Sequence, residues 1–157
     1  MNTVSFYDAL YMKRLSKNKY FMNIALEVSK RATCNRAHVG CILVKDDRII
    51  ATGYNGSPPK MPHCDDENIG HDMENKRCVR TLHAELNAIL QCAKHGISAD
   101  RAICYCTIQP CLRCSMALFS VGIKEIKFLE RYKTMTEKDE KRLTELIKSG
   151  LKIEKIR

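Results

Sequence analysis

The chain of 157 residues is long enough for one ordinary domain and leaves little room for a second. Hydrophobic residues make up 45% and charged residues 29% of the sequence, which excludes disordered, collagen-like and coiled-coil proteins. The net charge is +9, and the excess lies in residues 1–37 and 122–157, whereas residues 38–121 are neutral. A basic surface suits polyanionic partners, but a solvated surface that keeps the protein soluble is the preferred explanation of the charge alone.

Helices and strands alternate along the chain. The hydrophobic spacing predicts helices over 16–31, 83–94 and 111–120, the last after Pro110, and a fourth helix that ends at Gly150. Thr134 and Glu137 have the spacing of a capping box that begins this fourth helix. Strands are predicted over 39–45 and 48–52, joined by a tight turn at Asp46 and Asp47, and over 102–107, 123–129 and 151–156, with a polar loop over 53–76. This order predicts an α/β protein with one mixed five-stranded sheet and helices on both faces.

Cysteine is the unusual component of the sequence. Nine cysteines are an odd number, and residues 1–20 show no secretory signal, so we expect metal binding or catalysis rather than a disulfide framework. No apolar run approaches the length of a membrane span. We therefore expect a cytoplasmic protein with no membrane partner.

Two short motifs suit a catalytic metal. His83-Ala84-Glu85 and Cys111-x-x-Cys114 each stand at the predicted start of a helix. Two cysteines at this spacing share one helix face, and with one imidazole they fill three tetrahedral positions on Zn²⁺, leaving the fourth for water. Glu85 can carry the proton of that water without ligating the metal. His-x-Glu followed by Pro-Cys-x-x-Cys is the pattern of zinc-dependent nucleobase deaminases, whereas a lone Cys-x-x-Cys would equally suit a structural zinc or a redox pair.

Longer blocks of sequence resemble the deoxycytidylate (dCMP) deaminase family over residues 31–132. They are Arg-Ala-Thr-Cys at 31–34 with Val-Gly at 39–40, Gly-Tyr-Asn-Gly-Ser-Pro at 53–58, and the stretch at 78–89 that contains Cys-x-Arg-Thr-x-His-Ala-Glu. The resemblance implies a cytidine deaminase-like three-layer fold and hydrolysis of dCMP to dUMP and ammonia, which supplies dUMP for thymidylate synthesis. It also implies a homohexamer that is activated by dCTP and inhibited by dTTP, with Mg²⁺ bound to the triphosphate. The whole chain, 1–157, would form one deaminase domain, to which residues 134–157 add a C-terminal helix and strand.

The resemblance also implies roles for single residues. His83, Cys111 and Cys114 would hold the catalytic zinc, and Glu85 would shuttle the proton. Candidate substrate contacts are Asn55, which hydrogen-bonds the sugar in related deaminases, Ala84, and, for the phosphate, Arg31 and Tyr132. A solvated arginine and a tyrosine at a strand end explain the last two equally well. Effectors would bind near a subunit contact at Gly53, Tyr54, Asn55 and Gly56, which in an unregulated relative would simply be a turn.

A second, structural zinc is the other metal prediction. Its candidate ligands are Cys34, Cys64, His71 and Cys78. Bacterial and phage members of the family resemble this chain in the cysteine positions, and His71 stands where a relative often has another cysteine. Imidazole replaces thiolate readily on zinc. The alternative is a set of unremarkable thiols and a surface histidine, and His63 could take the place of His71.

Four further cysteines are predicted to have a packing role. Cys41, Cys92, Cys104 and Cys106 lie in predicted strands or on an apolar helix face and are expected to be small buried residues.

Two other functions are alternatives to deamination of dCMP. Zinc-dependent deamination of adenosine in transfer RNA or of cytosine in single-stranded nucleic acid fits the net charge, but the blocks at 53–58 and 80–85 favour dCMP. A non-catalytic zinc-binding module would not need Glu85.

Overall fold

The computed structural model describes residues 14–74 and 77–156 of the chain. The predicted absence of a secretory signal in residues 1–20 therefore falls mostly outside the described residues. Within the described part of the chain, no helix is long and apolar enough to cross a membrane.

The described residues form a main sheet of five strands. The helices are α1 (Lys17–Ser29), α2 (Ala84–Lys94), α3 (Leu112–Ser120) and α4 (Glu137–Lys148). The strands are β1 (Gly40–Lys45), β2 (Arg48–Tyr54), β3 (Met73–Glu74), β4 (Arg77–Cys78), β5 (Ile103–Ile108), β6 (Glu125–Glu130) and β7 (Lys152–Lys155). The strand order is β2-β1-β5-β6-β7, and β1 is antiparallel to both neighbours whereas β5, β6 and β7 are parallel. The predicted mixed sheet is confirmed.

The turn between β1 and β2 has the predicted geometry. Asp46 and Asp47 both have positive φ angles, 50° and 60°, as a two-residue hairpin turn of type I′ requires. Lys45 pairs with Arg48 across the turn, and a register shift follows between Leu43 and Val44.

Helices cover both faces of the sheet, as predicted. On one face, α1 packs Phe21, Met22 and Ala25 against Ile42 and Tyr105. On the other face, α2, α3 and α4 enclose the larger core cluster. This cluster contains the four cysteines that were expected to be buried, Cys41, Cys92, Cys104 and Cys106, and all four are at most 2% exposed.

The structure corrects three local predictions. The capping box of α4 is formed by Thr136 and Asp139, two residues later than predicted. Helix α3 begins one residue later than predicted, because Cys111 is its N-cap residue. The predicted loop over 53–76 is not wholly irregular, because β2 extends to Tyr54 and the two-residue strands β3 and β4 pair as a small antiparallel sheet.

Candidate active site and metal centre

The predicted zinc ligands lie at the starts of two helices. His83 is the N-cap residue of α2, and Cys111 is the N-cap residue of α3. Neither side chain caps its own helix, so the imidazole and the thiol are available for other contacts. Cys114 follows in the first turn of α3. Both helices direct their positive dipole ends to this point, which favours negatively charged groups here.

These three side chains form one cluster. The His83 Nδ1 atom lies 3.6 Å from the Cys111 Sγ atom and 3.5 Å from the Cys114 Sγ atom, and all three donor atoms are within 4.8 Å of one another. Both cysteines are buried. Two thiols and one imidazole are a donor set that fits Zn²⁺ and leaves one tetrahedral position open.

The cluster is electrostatically unusual. The hydrogen bond from the Cys114 thiol lowers the pKa of Cys111 to about 4, against the opposing effect of burial, and His83 adds to the lowering. The same hydrogen bond and burial raise the pKa of Cys114. Ionised thiolate is the form that binds metal, so Cys111 is prepared to be a ligand.

Glu85 lies beside the candidate metal ligands on the first turn of α2. It is only 3% exposed. Burial raises the pKa of Glu85 to about 7, although the nearby His83 imidazole opposes this shift. A carboxyl group with a pKa near neutrality can both accept and donate a proton under physiological conditions.

A cavity of about 250 Å³ opens onto His83, Glu85 and Cys111. Of the predicted substrate contacts, Asn55, Ala84 and Tyr132 line it, whereas Arg31 is exposed at the end of α1 and is not among the lining residues. The wall is completed by Cys34, Arg36, Ala37, Val39, Cys78, Thr81, Ile108, Gln109 and Thr134.

The Gly-Tyr-Asn-Gly segment, residues 53–56, contacts three of the segments that surround the cavity. The Asn55 side chain accepts a hydrogen bond from the Val39 N–H (2.7 Å) and donates one to the Ala37 carbonyl (2.8 Å). Gly56 exchanges two backbone hydrogen bonds with Leu82, the residue before His83. Gly53 lies so close to α2 that an added Cβ would stand 2.1 Å from the Ala84 carbonyl oxygen. These contacts have a packing role, and effector binding at residues 53–56 stays a prediction.

A second cluster of metal-binding groups lies next to the cavity. Donor atoms of Cys34, Cys64 and His71 lie within 4.8 Å of one another, and the Cys64 Sγ atom lies 3.5 Å from that of Cys78. The His71 Nε2 atom is buried and has no hydrogen-bond partner among the residues that the structure describes. Burial, with the adjacent thiols of Cys78 and Cys34, raises the pKa of Cys64 to about 12. A divalent cation would satisfy the orphaned nitrogen and make ionisation of the thiols favourable, so the donor set fits zinc.

Several cavity residues were missed by the sequence analysis, and Arg36 is the charged one among them. Arg36 is exposed and lines the same cavity as Glu85. Its position two residues after Cys34, a predicted ligand, was the only signal in the sequence that placed it near the site.

The fold and these side chains define a class of protein. A His/Cys/Cys donor set at two helix starts, with a buried glutamate beside it, is the arrangement of the zinc-dependent deaminases that act on nucleobases. Residues 15–130 match the family model described as the cytidine and deoxycytidylate deaminase zinc-binding region.

Comparison with known proteins shows which members of this class are similar to the chain. ComE operon protein 2 of Bacillus subtilis (strain 168) is 46% identical over 123 residues, which cover 78% of this chain and 64% of that protein. The deoxycytidylate deaminase of Mycobacterium phage D29 is 34% identical over 131 residues, which cover 74% of this chain and 97% of that protein. The crystal structure of the cyanophage S-TIM5 dCMP deaminase in complex with dCMP and dUMP has a TM-score of 0.75 and 27% identity, and the match covers 92% of this chain and 100% of that one.

The chain belongs to the cytidine and deoxycytidylate deaminase family. It spans 64%, 38% and 40% of the lengths of three curated relatives, so these proteins contain regions outside the match. The match to the cyanophage structure confirms the predicted cytidine deaminase-like fold.

Proposed function

We propose that the protein catalyses the hydrolytic deamination of dCMP to dUMP and ammonia, and so supplies dUMP for thymidylate synthesis. The observation that carries this proposal is the buried Glu85 carboxyl group beside the donor set of His83, Cys111 and Cys114, at a cavity of about 250 Å³. The dCMP and dUMP complex of the cyanophage relative supports the choice of substrate.

The side chains have separate tasks in this reaction. His83, Cys111 and Cys114 would hold zinc, which when bound supplies Lewis-acid activation of water. Glu85 accepts one proton from the attacking water and delivers it to N3 of the cytosine ring. It then accepts the second proton from the new C4 hydroxyl group and passes it to the departing 4-amino group, so that ammonia leaves as the C4 carbonyl forms and the carboxylate is regenerated. Because Glu85 is almost fully buried, bulk water does not compete for these protons. The second amide hydrogen of Asn55 and the Tyr132 side chain orient the nucleotide, and Ala84 closes the wall beside the base.

The test is ammonia release from dCMP, CMP, dCTP and deoxycytidine, measured side by side with zinc-loaded protein. We expect dCMP to be the preferred substrate. Deamination of a single-stranded oligonucleotide, with binding that weakens steeply with salt, would instead identify a nucleic-acid deaminase. No ammonia from any of these compounds would contradict the proposed activity.

The second cluster is proposed to hold a structural zinc. Cys34, Cys64, His71 and Cys78 would be its ligands. The supporting observations are the proximity of their donor atoms and the orphaned His71 nitrogen. Residues 56–72 contain no helix or strand, and a metal would give this loop the anchor that apolar packing does not provide.

Regulation and assembly follow from the family resemblance. We expect a homohexamer in which dCTP, with Mg²⁺, favours dCMP binding and dTTP opposes it, with residues Gly53, Tyr54, Asn55 and Gly56 near the effector site. Each effector must bind one conformational state better than the other for this to occur. All nine cysteines are free, which agrees with a reducing, cytoplasmic environment.

A further inference from the structure

A hydrogen bond joins the loop between β2 and β3 to the segment that follows α1. The His63 Nδ1 atom lies 2.8 Å from the Thr33 Oγ1 atom, and these two half-buried residues are 30 positions apart in the chain. The sequence leaves His63 as an alternative to His71 in the second metal site, but the donor atoms that cluster with Cys34 among the described residues include His71 and not His63. The imidazole of His63 is bonded to a hydroxyl group instead.

Thr33 in turn contacts the backbone of the Gly-Tyr-Asn-Gly segment. The Thr33 N–H donates a hydrogen bond to the Asn55 carbonyl oxygen at 3.1 Å. The Thr33 hydroxyl group packs on the following residue, since a Cβ added to Gly56 would stand 2.9 Å from the Oγ1 atom. Because His63 binds this same oxygen, the imidazole fixes the rotamer of Thr33 against the backbone of residues 55 and 56.

Asn55 is the cavity residue whose position depends on these contacts. It is only 7% exposed and lines the cavity. Its side chain accepts a hydrogen bond from Val39 and donates one to Ala37, so its contacts with the described residues leave one amide hydrogen for a substrate. The sugar of dCMP has a single hydroxyl group, at C3′, because C2′ has none and the 5′ oxygen carries the phosphate. A small displacement of Asn55 would misalign this hydrogen bond, and misaligned hydrogen bonds weaken steeply.

The loop presents His63 in a fixed orientation. The His63 N–H donates a hydrogen bond to the Asp66 Oδ2 atom at 2.7 Å, and the Asp66 N–H donates one to the His63 carbonyl oxygen at 3.3 Å. This turn limits the movement of the imidazole, so the contact with Thr33 loses little conformational freedom when it forms.

We propose that His63 is a positioning residue, which acts through Thr33 to hold Asn55 in place for the 3′-hydroxyl group of the substrate. This inference rests on the proposed deamination of dCMP and on the contact of Asn55 with the sugar. His63 itself is not among the residues that line the cavity, so its effect on the substrate is indirect.

The test compares dCMP with 2′,3′-dideoxycytidine monophosphate, which lacks only the 3′-hydroxyl group. His63→Phe keeps an aromatic ring and removes the hydrogen bond, so we expect KM for dCMP to rise roughly threefold to tenfold with kcat nearly unchanged. KM for the dideoxy compound should equal that of the wild type. His63→Asn should restore KM for dCMP, because its amide group can replace the Nδ1 atom as a partner of Thr33. His95→Phe is the control for loss of an imidazole, since His95 is exposed at the end of α2 and lies outside the cavity.

A double-mutant cycle tests the route through Thr33. Thr33→Val removes the hydroxyl group with little change of shape and should raise KM for dCMP by a similar factor. The double variant of His63→Phe and Thr33→Val should raise KM no further than either single variant, because both remove the same hydrogen bond. Increases that multiply in the double variant would show that His63 acts by another route and would overturn the proposal.

Three other results would also overturn it. An equal rise in KM for both nucleotides would show that His63 only maintains the general shape of the site, and an unchanged KM for dCMP would exclude any positioning role. Loss of one zinc ion per chain in His63→Phe would make His63 a metal ligand instead. If the wild type deaminates neither compound, the proposed function fails. Calorimetric Kd values of both compounds for the wild type and His63→Phe still test the inference, and equal dCMP affinities of the two proteins would reject it.

Discussion

The contact between β2 and α2 determines the positions of the proposed catalytic residues His83 and Glu85. The substitution Gly53→Ala tests this contact. An alanine Cβ at this position would lie 2.1 Å from the Ala84 carbonyl oxygen and 2.6 Å from the Ala88 backbone nitrogen. Both atoms belong to the backbone of α2, so no side chain can move away to relieve the clash. The start of the helix, and with it His83 and Glu85, must withdraw by roughly 1 Å.

The expected effects follow from this displacement. Overpacking of this kind costs about 1–3 kcal/mol of unfolding free energy. For a chain of this size each kcal/mol lowers Tm by about 2–4 °C, so a decrease of roughly 2–12 °C is expected by differential scanning fluorimetry. A shift of about 1 Å in the reacting groups costs on the order of 100-fold in turnover, measured as ammonia release from dCMP.

A matched control separates displacement from general loss of stability. Gly150 has a φ angle of +108° and no atom within 4 Å of an added Cβ, and it lies outside the cavity. Gly150→Ala should therefore cost about 1 kcal/mol through backbone strain and leave kcat unchanged. If Gly53→Ala has the Tm and the turnover of the wild type, the proposed displacement of α2 by the added Cβ is refuted. Normal basal turnover with a lost response to dCTP or dTTP would assign Gly53 to effector binding instead.

Further predictions concern the proton carrier, the metals and regulation. Glu85→Gln should keep its zinc and its fold but lose about 10²–10⁴-fold in turnover, and near-normal turnover in the zinc-loaded variant would exclude the assigned role. Metal analysis should find two zinc ions per wild-type chain, and a count of one would reject the second site. Cys114→Ser should lose one zinc and all activity, whereas Cys64→Ser should lose the other zinc and show a lower Tm. Saturation curves for dCMP with Mg²⁺ should shift in opposite directions with dCTP and dTTP, and curves unmoved by either would show an unregulated enzyme.

The cluster of His83, Cys111 and Cys114 was predictable from the sequence because its residues lie in short local motifs. His83 and Glu85 are two residues apart, Cys111 and Cys114 are three apart, and each pair stands at a helix start that apolar spacing identifies. The sheet was predictable for the same reason, since its strands have four to seven residues each and are bounded by clear turn residues. The four buried cysteines followed from their positions in these elements.

Other features could not be predicted, because they depend on tertiary contacts rather than on local sequence patterns. Thr134 and Thr136 are both followed three residues later by an acidic residue, so the sequence permits two capping boxes, and the structure uses the second. Strands of two residues, such as β3 and β4, are too short for any periodicity to show. Arg36 has no motif of its own, because the Asn55 side chain and the thiol cluster bring it to the cavity.

The two donor clusters share a wall, and this has a thermodynamic consequence. Cys34 and Cys78 line the substrate cavity from one side and belong to the second thiol cluster on the other. If zinc occupies that cluster and thereby orders the wall, substrate affinity rises with occupancy. Linkage then requires the converse, so bound nucleotide raises the affinity for this zinc by the same free energy, as measured by competition with a chelator at equilibrium. The concentration of nucleotide and the fraction of chains that hold this zinc would then depend on each other through one coupled equilibrium.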